Sequence, residues 1–135
     1  MTTNSEKQCV VVAGATGFIG KSLGDALSSE TTNEHQLIGL SRSLREGHGP
    51  WHAFRQCDLF SLRQTIAALK DVDIGVYLVH SMMPSARLTQ GHFSDLDLLC
   101  ADNFGKAAAI CNLKQIIYVG GLLPIESEEL LSSHL

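Results

Sequence analysis

The 135 residues suffice for one domain, and a hydrophobic share of 44% supplies a real core. A formal net charge of -4, with neither a polybasic run nor an acidic tail, gives no sign of a nucleic-acid partner. The polar start, residues 1–8, lacks the order of a secretory signal, and no apolar run approaches the ~20 residues that cross a bilayer. A soluble, cytoplasmic protein is therefore expected, with no membrane partner. Cys9, Cys57, Cys100 and Cys111 form no CxxC pair and no zinc-like cluster, so they are expected to pack as reduced, small hydrophobes.

Residues 9–13, read CVVVA, predict a buried strand, followed at once by a glycine loop and a helix to about Ser28. Residues 37–40 predict a second short strand, then comes a loop rich in Arg, Gly, His and Pro over 41–50. Residues 52–57 predict a third strand. Residues 61–70 carry apolar side chains at helical spacing (Leu62, Ile66, Leu69), with Ser61 or Asp58 able to cap the helix. The continuous apolar run 74–79 predicts a fourth strand and 93–112 a long amphipathic helix. Its inward face should carry Phe93, Leu96, Leu99, Cys100, Phe104, Ala107, Ile110 and Cys111. Residues 115–119 predict a fifth strand. Strands this uniformly apolar, alternating with helices, require a parallel sheet covered on both faces: an α/β, doubly wound fold.

The loop reads GATGFIGKS over residues 14–22, and its two ends suggest different ligands. A triphosphate P-loop needs Gly, four residues, then Gly-Lys-Ser. Ala15 stands where that first glycine belongs. The fourth strand also ends in Val79-His80-Ser81, without the acidic residue that would help hold magnesium. A dinucleotide-binding turn fits better. Gly14 permits the tight turn, Gly17 lets the backbone approach a pyrophosphate, and Gly20 lets the helix pack closely on the strand. Lys21 is then a solvated helix residue. A cofactor with a free ribose 2′-hydroxyl favours an acidic residue at the end of the second strand. That place holds Ser41-Arg42-Ser43, and an arginine there suits a 2′-phosphate, so NADP is expected over NAD, with Arg45 a second candidate.

The spacing GxxGxxG resembles the extended and atypical short-chain dehydrogenase/reductases, the group containing nucleotide-sugar epimerases. Cys57-Asp58-Leu59 is similar to the pair whose aspartate meets the adenine amino group. Residues 77–81, read YLVHS, sit where the family's fourth strand passes the cofactor ribose. Residues 107–121 resemble its passage from helix to strand ahead of the active site. YLVHSM, IIYVGGL and the trailing LSSHL are similar to a bacterial subgroup of epimerase-like or NmrA-like proteins. The resemblance implies a Rossmann domain over 1–135, with Gly14, Thr16, Gly17, Phe18, Ile19, Gly20, Ser41, Arg42, Asp58, Leu59, Val79 and His80 toward the cofactor.

The family's reaction chemistry is less complete here. Its enzymes place a Ser or Thr just after the fifth strand, a Tyr thirteen positions later and a Lys four beyond that. Gly121 occupies the serine place and His134 the tyrosine place, while Tyr77 and Tyr118 lie within strands. The remaining catalytic candidates are His134, which titrates near neutrality, and His80 and Ser81 at the ligand edge of the sheet. His48 and His52 are separated by Gly49-Pro50, which breaks any helix that would align them on a metal. Family members carry further strands and a substrate-binding portion, so a truncated chain is expected. Its unpaired sheet edge would favour association into a homo-oligomer. Two functions follow: an NADP-dependent oxidoreductase or epimerase-like enzyme acting on a small molecule, or an NADP-sensing regulator or scaffold of NmrA type.

Overall fold

The computed structural model describes residues 7–29, 35–79 and 90–120, with side chains in the last stretch from Leu96 onward. In chain order the elements are β1 (Gln8–Ala13), α1 (Phe18–Ser28), β2 (His35–Ser41), β3 (Ala53–Gln56), α2 (Leu62–Ala68), β4 (Ile74–Tyr77), α3 (Gln90–Ile110) and β5 (Gln115–Tyr118). The five strands form one sheet in the order β3-β2-β1-β4-β5, and every pairing is parallel. The doubly wound α/β expectation therefore holds.

Alternation along β1 divides the interior in two, because successive strand side chains leave on opposite faces. Val10 and Val12 join Leu37, Val76 and the α1 residues Leu23 and Leu27. Val11 and Ala13 join Ile38, Leu69, Phe104 and Ala107 beneath α2 and α3. The central strand is thus buried on both sides, as an interior parallel strand requires.

A parallel connection needs a dozen or so residues and is usually made by a helix. Residues 42–52 make the β2–β3 crossing without one. Trp51, 5% exposed, fills the helix's place and packs in the α1-side cluster. Space for it exists because α1 carries Gly24, where a Cβ would lie 2.8 Å from Pro50 Cγ and 2.9 Å from Trp51 Cζ2. His52 then extends the strand pairing: its N–H donates to the Leu37 carbonyl at 2.9 Å, and its Nδ1 accepts from Leu37 N–H at 3.0 Å. That bond fixes the ring proton on Nε2.

Polar ties brace the amino-terminal edge of the sheet. Asp73 Oδ2 accepts from Cys9 N–H at 2.8 Å, its own N–H donates to the Cys9 carbonyl at 2.9 Å, and its carbonyl accepts from Lys114 N–H at 2.8 Å. One aspartate therefore holds the starts of β1, β4 and β5 together. Ser61 caps α2, its Oγ accepting from Gln64 N–H at 3.2 Å, while Asp58 holds the preceding turn instead. At the far end of α2, Arg55 donates to the carbonyls of Ala68 and Lys70 at 2.8 and 2.9 Å, satisfying groups the helix leaves open.

The face of α3 differs from the expected one. Cys100, Phe104 and Ala107 are buried as expected, but Leu96, Leu99 and Ile110 are exposed, and Asn103 and Ala108 take inward places. At about 100° per residue, Leu99 and Ile110 point roughly 120–140° away from Phe104, outside the covered stripe. Phe93 lies outside the residues whose side chains are described. The thiol expectation holds: Cys9, Cys57 and Cys100 are buried, Cys111 is half-buried, and none is in a disulfide. No helix among the described residues is long and apolar enough to cross a membrane.

Tyr77 is buried between Phe104, edge-on with ring centroids 5.2 Å apart, and Tyr118, stacked at 6.0 Å. Its hydroxyl has no hydrogen-bond partner among the described residues. A buried hydroxyl with no partner among the described residues is a net cost, so Tyr77→Phe should raise unfolding free energy by about 1 kcal/mol in urea titration. Trp51→Ala should lower it by about 3–5 kcal/mol, since nothing else in the crossing can fill the space.

Candidate functional site

The strand order reverses between β1 and β4: the chain winds outward through β2 and β3, then returns to the other side of β1. Ligands of open α/β sheets bind at such a reversal, outside the carboxyl ends of the strands. There the chain leaves Ala13 and turns sharply. Gly14 adopts φ +91°, a left-handed value that L side chains resist, and its carbonyl accepts from Gly17 N–H at 3.1 Å. A Cβ at Gly14 would also press on Leu78 at 3.1 Å, where the chain leaving β4 donates Leu78 N–H to the Ala13 carbonyl.

The three loop glycines have different reasons for being there. At Gly20 a Cβ would run into the Gly14 carbonyl oxygen and lie 2.8 Å from Ala15 Cα, so the helix could not approach the strand. Gly14 is required by its dihedral. Gly17 is required by neither: its φ is -79°, and a Cβ there would meet the Gly14 carbonyl oxygen at 3.4 Å, an ordinary contact. The fold tolerates a side chain at Gly17. Its absence leaves the backbone bare at the helix start.

Gly17 is the N-cap of α1 and supplies no side-chain cap, and the first turn carries no acidic residue. The first intrahelical bond that closes on it is Lys21 N–H to the Gly17 carbonyl at 2.9 Å. The amides of Phe18, Ile19 and Gly20 are accordingly the open donors of the helix start, aligned with the positive end of its dipole. This is a phosphate cradle in its physical ingredients. Thr16, Gly17, Phe18 and Ile19 are all exposed, Phe18 at 88%. Lys21 is exposed on the helix, as expected.

The other expected cofactor residues fall on the same edge of the sheet. Ser41 ends β2, and Arg42 follows it, exposed and in no ion pair among the described residues. Asp58 follows β3; its Oδ1 accepts from Phe60 N–H at 3.0 Å, which fixes the turn. Leu59 and Val79 stand at that edge too, but their side chains pack against the core beneath α2 and α3. Asn103, which sequence reasoning passed over, is 6% exposed and donates from Nδ2 to the Leu59 carbonyl at 2.8 Å. It ties α3 to the loop that carries Asp58. A lone polar residue on an otherwise apolar helical stripe was the available signal.

His80, Ser81 and His134, the catalytic candidates, lie outside the described residues, as does Gly121. Tyr77 lies within its strand, and burial, reinforced by Cys100 and Asp97, pushes its phenol well above the ordinary range. It is poorly suited to passing a proton. Burial raises the Cys9, Cys57 and Cys100 thiols as well, which keeps them protonated and unreactive.

Known proteins share this fold. Among curated proteins, the Auxiliary protein GraX of Staphylococcus aureus is 37% identical over 117 residues, which cover 85% of this chain and 37% of GraX. Among solved structures, UDP-N-acetylglucosamine 4-epimerase from Bacillus cereus superposes with a TM-score of 0.70 at 23% identity, over 91% of this chain and 43% of that one. A mutant uronate dehydrogenase from Agrobacterium tumefaciens, complexed with NAD, gives 0.65 at 19% identity, over 85% of this chain and 41% of that one. The chain thus spans well under half the length of these proteins. Residues 10–122, from Val10 within β1 to four residues past the end of β5, match the sequence pattern of one family: the chain belongs to the NAD dependent epimerase/dehydratase family.

Proposed function

We propose that the chain binds NADP in preference to NAD and forms the cofactor-holding part of an oxidoreductase or epimerase-like enzyme. The observation that carries this reading is Gly17, a glycine that the fold itself does not need, at a bare helix start on the switch point of the sheet. The Phe18, Ile19 and Gly20 amides would hold the pyrophosphate. Arg42, with Ser41 beside it, would hold the 2′-phosphate, and Asp58 would face the adenine side. When bound, NADP supplies a hydride donor or acceptor at nicotinamide C4. The chain's own residues orient the dinucleotide across the carboxyl edge, from Arg42 at β2 toward the end of β4. His80 and Ser81, three and four positions after β4 in sequence, are the proposed groups nearest the reacting ring, with His134 the proposed proton donor. The substrate is a small molecule of unassigned class. The exposed edge of β5 is the proposed face for self-association in the cytoplasm.

A second reading has its own support. GraX is named as an auxiliary protein, and Gly121 stands where the family's enzymes carry a hydroxyl. On this reading the chain is a cofactor-sensing regulator or scaffold, as in NmrA-like proteins. Oxidation of NADPH with a carbonyl substrate would favour the enzyme. Partner affinity that changes with NADPH would favour the regulator.

The cofactor assignment is tested by calorimetric titration of NADPH and NADH. Gly17→Val should abolish both isotherms while the melting temperature stays within a few degrees of wild type, because its Cβ has room in the fold but none beside a phosphate. Gly20→Ala should instead unfold or strongly destabilise the protein. Arg42→Ala should weaken NADPH by about 10–100-fold, the value of a charge-assisted contact, and leave NADH unchanged. Equal losses for both cofactors would refute the 2′-phosphate role.

A further inference from the structure

Gln56 closes β3 opposite Ser41, the last residue of β2. Its Nε2 donates to the backbone carbonyl of Arg42 at 3.1 Å. Two further bonds hold the same turn. Cys57 N–H donates to the Ser41 carbonyl at 2.8 Å. Ser43 N–H donates to Ser41 Oγ at 3.3 Å, and that hydroxyl lies 3.4 Å from Ser43 Oγ. Of these three ties, the Gln56 bond is the one made by a side chain from the neighbouring strand.

The consequence falls on Arg42. Its carbonyl is tied, so the peptide plane after it is set, and with it the direction in which its Cβ leaves the chain. Its guanidinium is exposed and makes no ion pair among the described residues. A root that is held and a head that is free is the arrangement that loses least conformational entropy when an anion is gripped. Gln56 itself is exposed, so burial does not explain it. The turn also offers two hydroxyls, of Ser41 and Ser43, on the side where Arg42 begins.

We infer that Gln56 is a positioning residue for cofactor selectivity: acting through Arg42, it presents the guanidinium and the paired serine hydroxyls to the ribose 2′-phosphate. This rests on the reading of Arg42 as the 2′-phosphate ligand. Gln56 touches no part of the cofactor, so its removal affects NADP and leaves NAD alone.

Gln56→Met keeps the length of the side chain and removes the donor. In parallel titrations of the 135-residue chain with NADPH and NADH, the variant should bind NADPH about fivefold more weakly, the loss of one neutral hydrogen bond, with NADH affinity unchanged. In an Arg42→Ala background the same substitution should cost nothing further, because the group it positions is gone. Circular dichroism melts of each variant check that the fold is retained. An equal loss for NADPH and NADH, an unaltered NADPH affinity, or a fivefold loss that persists in the double variant would each overturn the inference. If Arg42→Ala is selective while Gln56→Met is inert, the inference falls and the NADP reading stands. If Arg42→Ala weakens both cofactors alike, both fall.

Discussion

Unpaired main-chain donors can face a ligand at the start of α1 because the first turn of that helix lies against the backbone of the loop leaving β1. The closeness comes from Gly20, where any side chain would collide with the Gly14 carbonyl, and from the left-handed turn at Gly14 that reverses the chain in three residues. Everything else about the site follows from this approach. The helix axis points at the sheet's carboxyl edge, its dipole adds to the open amides, and no carboxylate in the first turn opposes an anion. Gly17 then leaves those amides uncovered.

The two edges of the sheet are treated in opposite ways. At the amino-terminal edge the polar groups are tied down: Asp73 joins three strand starts, and Arg55 closes the end of α2. At the carboxyl edge the ties serve to hold loops while leaving functional groups unpaired. Asn103 holds the Leu59 carbonyl, Asp58 holds its own turn with one carboxylate oxygen, and Gln56 holds the Arg42 backbone and not its guanidinium. A satisfied edge is rigid and inert, whereas an edge with fixed backbone and free heads is prepared to bind.

Periodicity and glycine spacing made most of this arrangement legible in the sequence. Among the described residues, the five strands and three helices stand within a few residues of where the hydrophobic patterns put them; for β1, β2 and β4 this follows because buried parallel strands need apolar runs on both faces. The errors have a common source. The amphipathic pattern of α3 puts Leu96, Leu99 and Ile110 on its inward face, but the face that is covered is narrower and all three are exposed. Asn103, Arg55, Asp73 and Gln56 are polar residues whose partners lie on other elements, and spacing along one segment carries no trace of them. Trp51 is similar: its sequence neighbours Gly49 and Pro50 announce a loop, and the α1 surface it fills is visible only in three dimensions. The place of Gly17 at the helix start is legible in the spacing, yet the distinction between a glycine the fold needs and one it does not need requires the geometry.

The unequal legibility of binding and reaction has a physical basis in the order of the chain. The residues expected to meet the dinucleotide phosphates and the adenine end come just after β1, β2 and β3, in turns pinned by hydrogen bonds, so they lie at fixed distances from recognisable strands. The expected catalytic positions, His80, Ser81 and His134, come after β4 and β5 on segments far apart in sequence, outside the described residues. β5 shows the same change of character. Its apolar residues Ile116, Ile117 and Tyr118 have the composition of an interior strand but are exposed at the end of the sheet. One half of the sheet is therefore complete in itself as a nucleotide platform, and the other half presents an apolar edge suited to further packing. If Arg42 sets cofactor selectivity as proposed, its place on the first half lets it act whatever chemistry is assembled on the other.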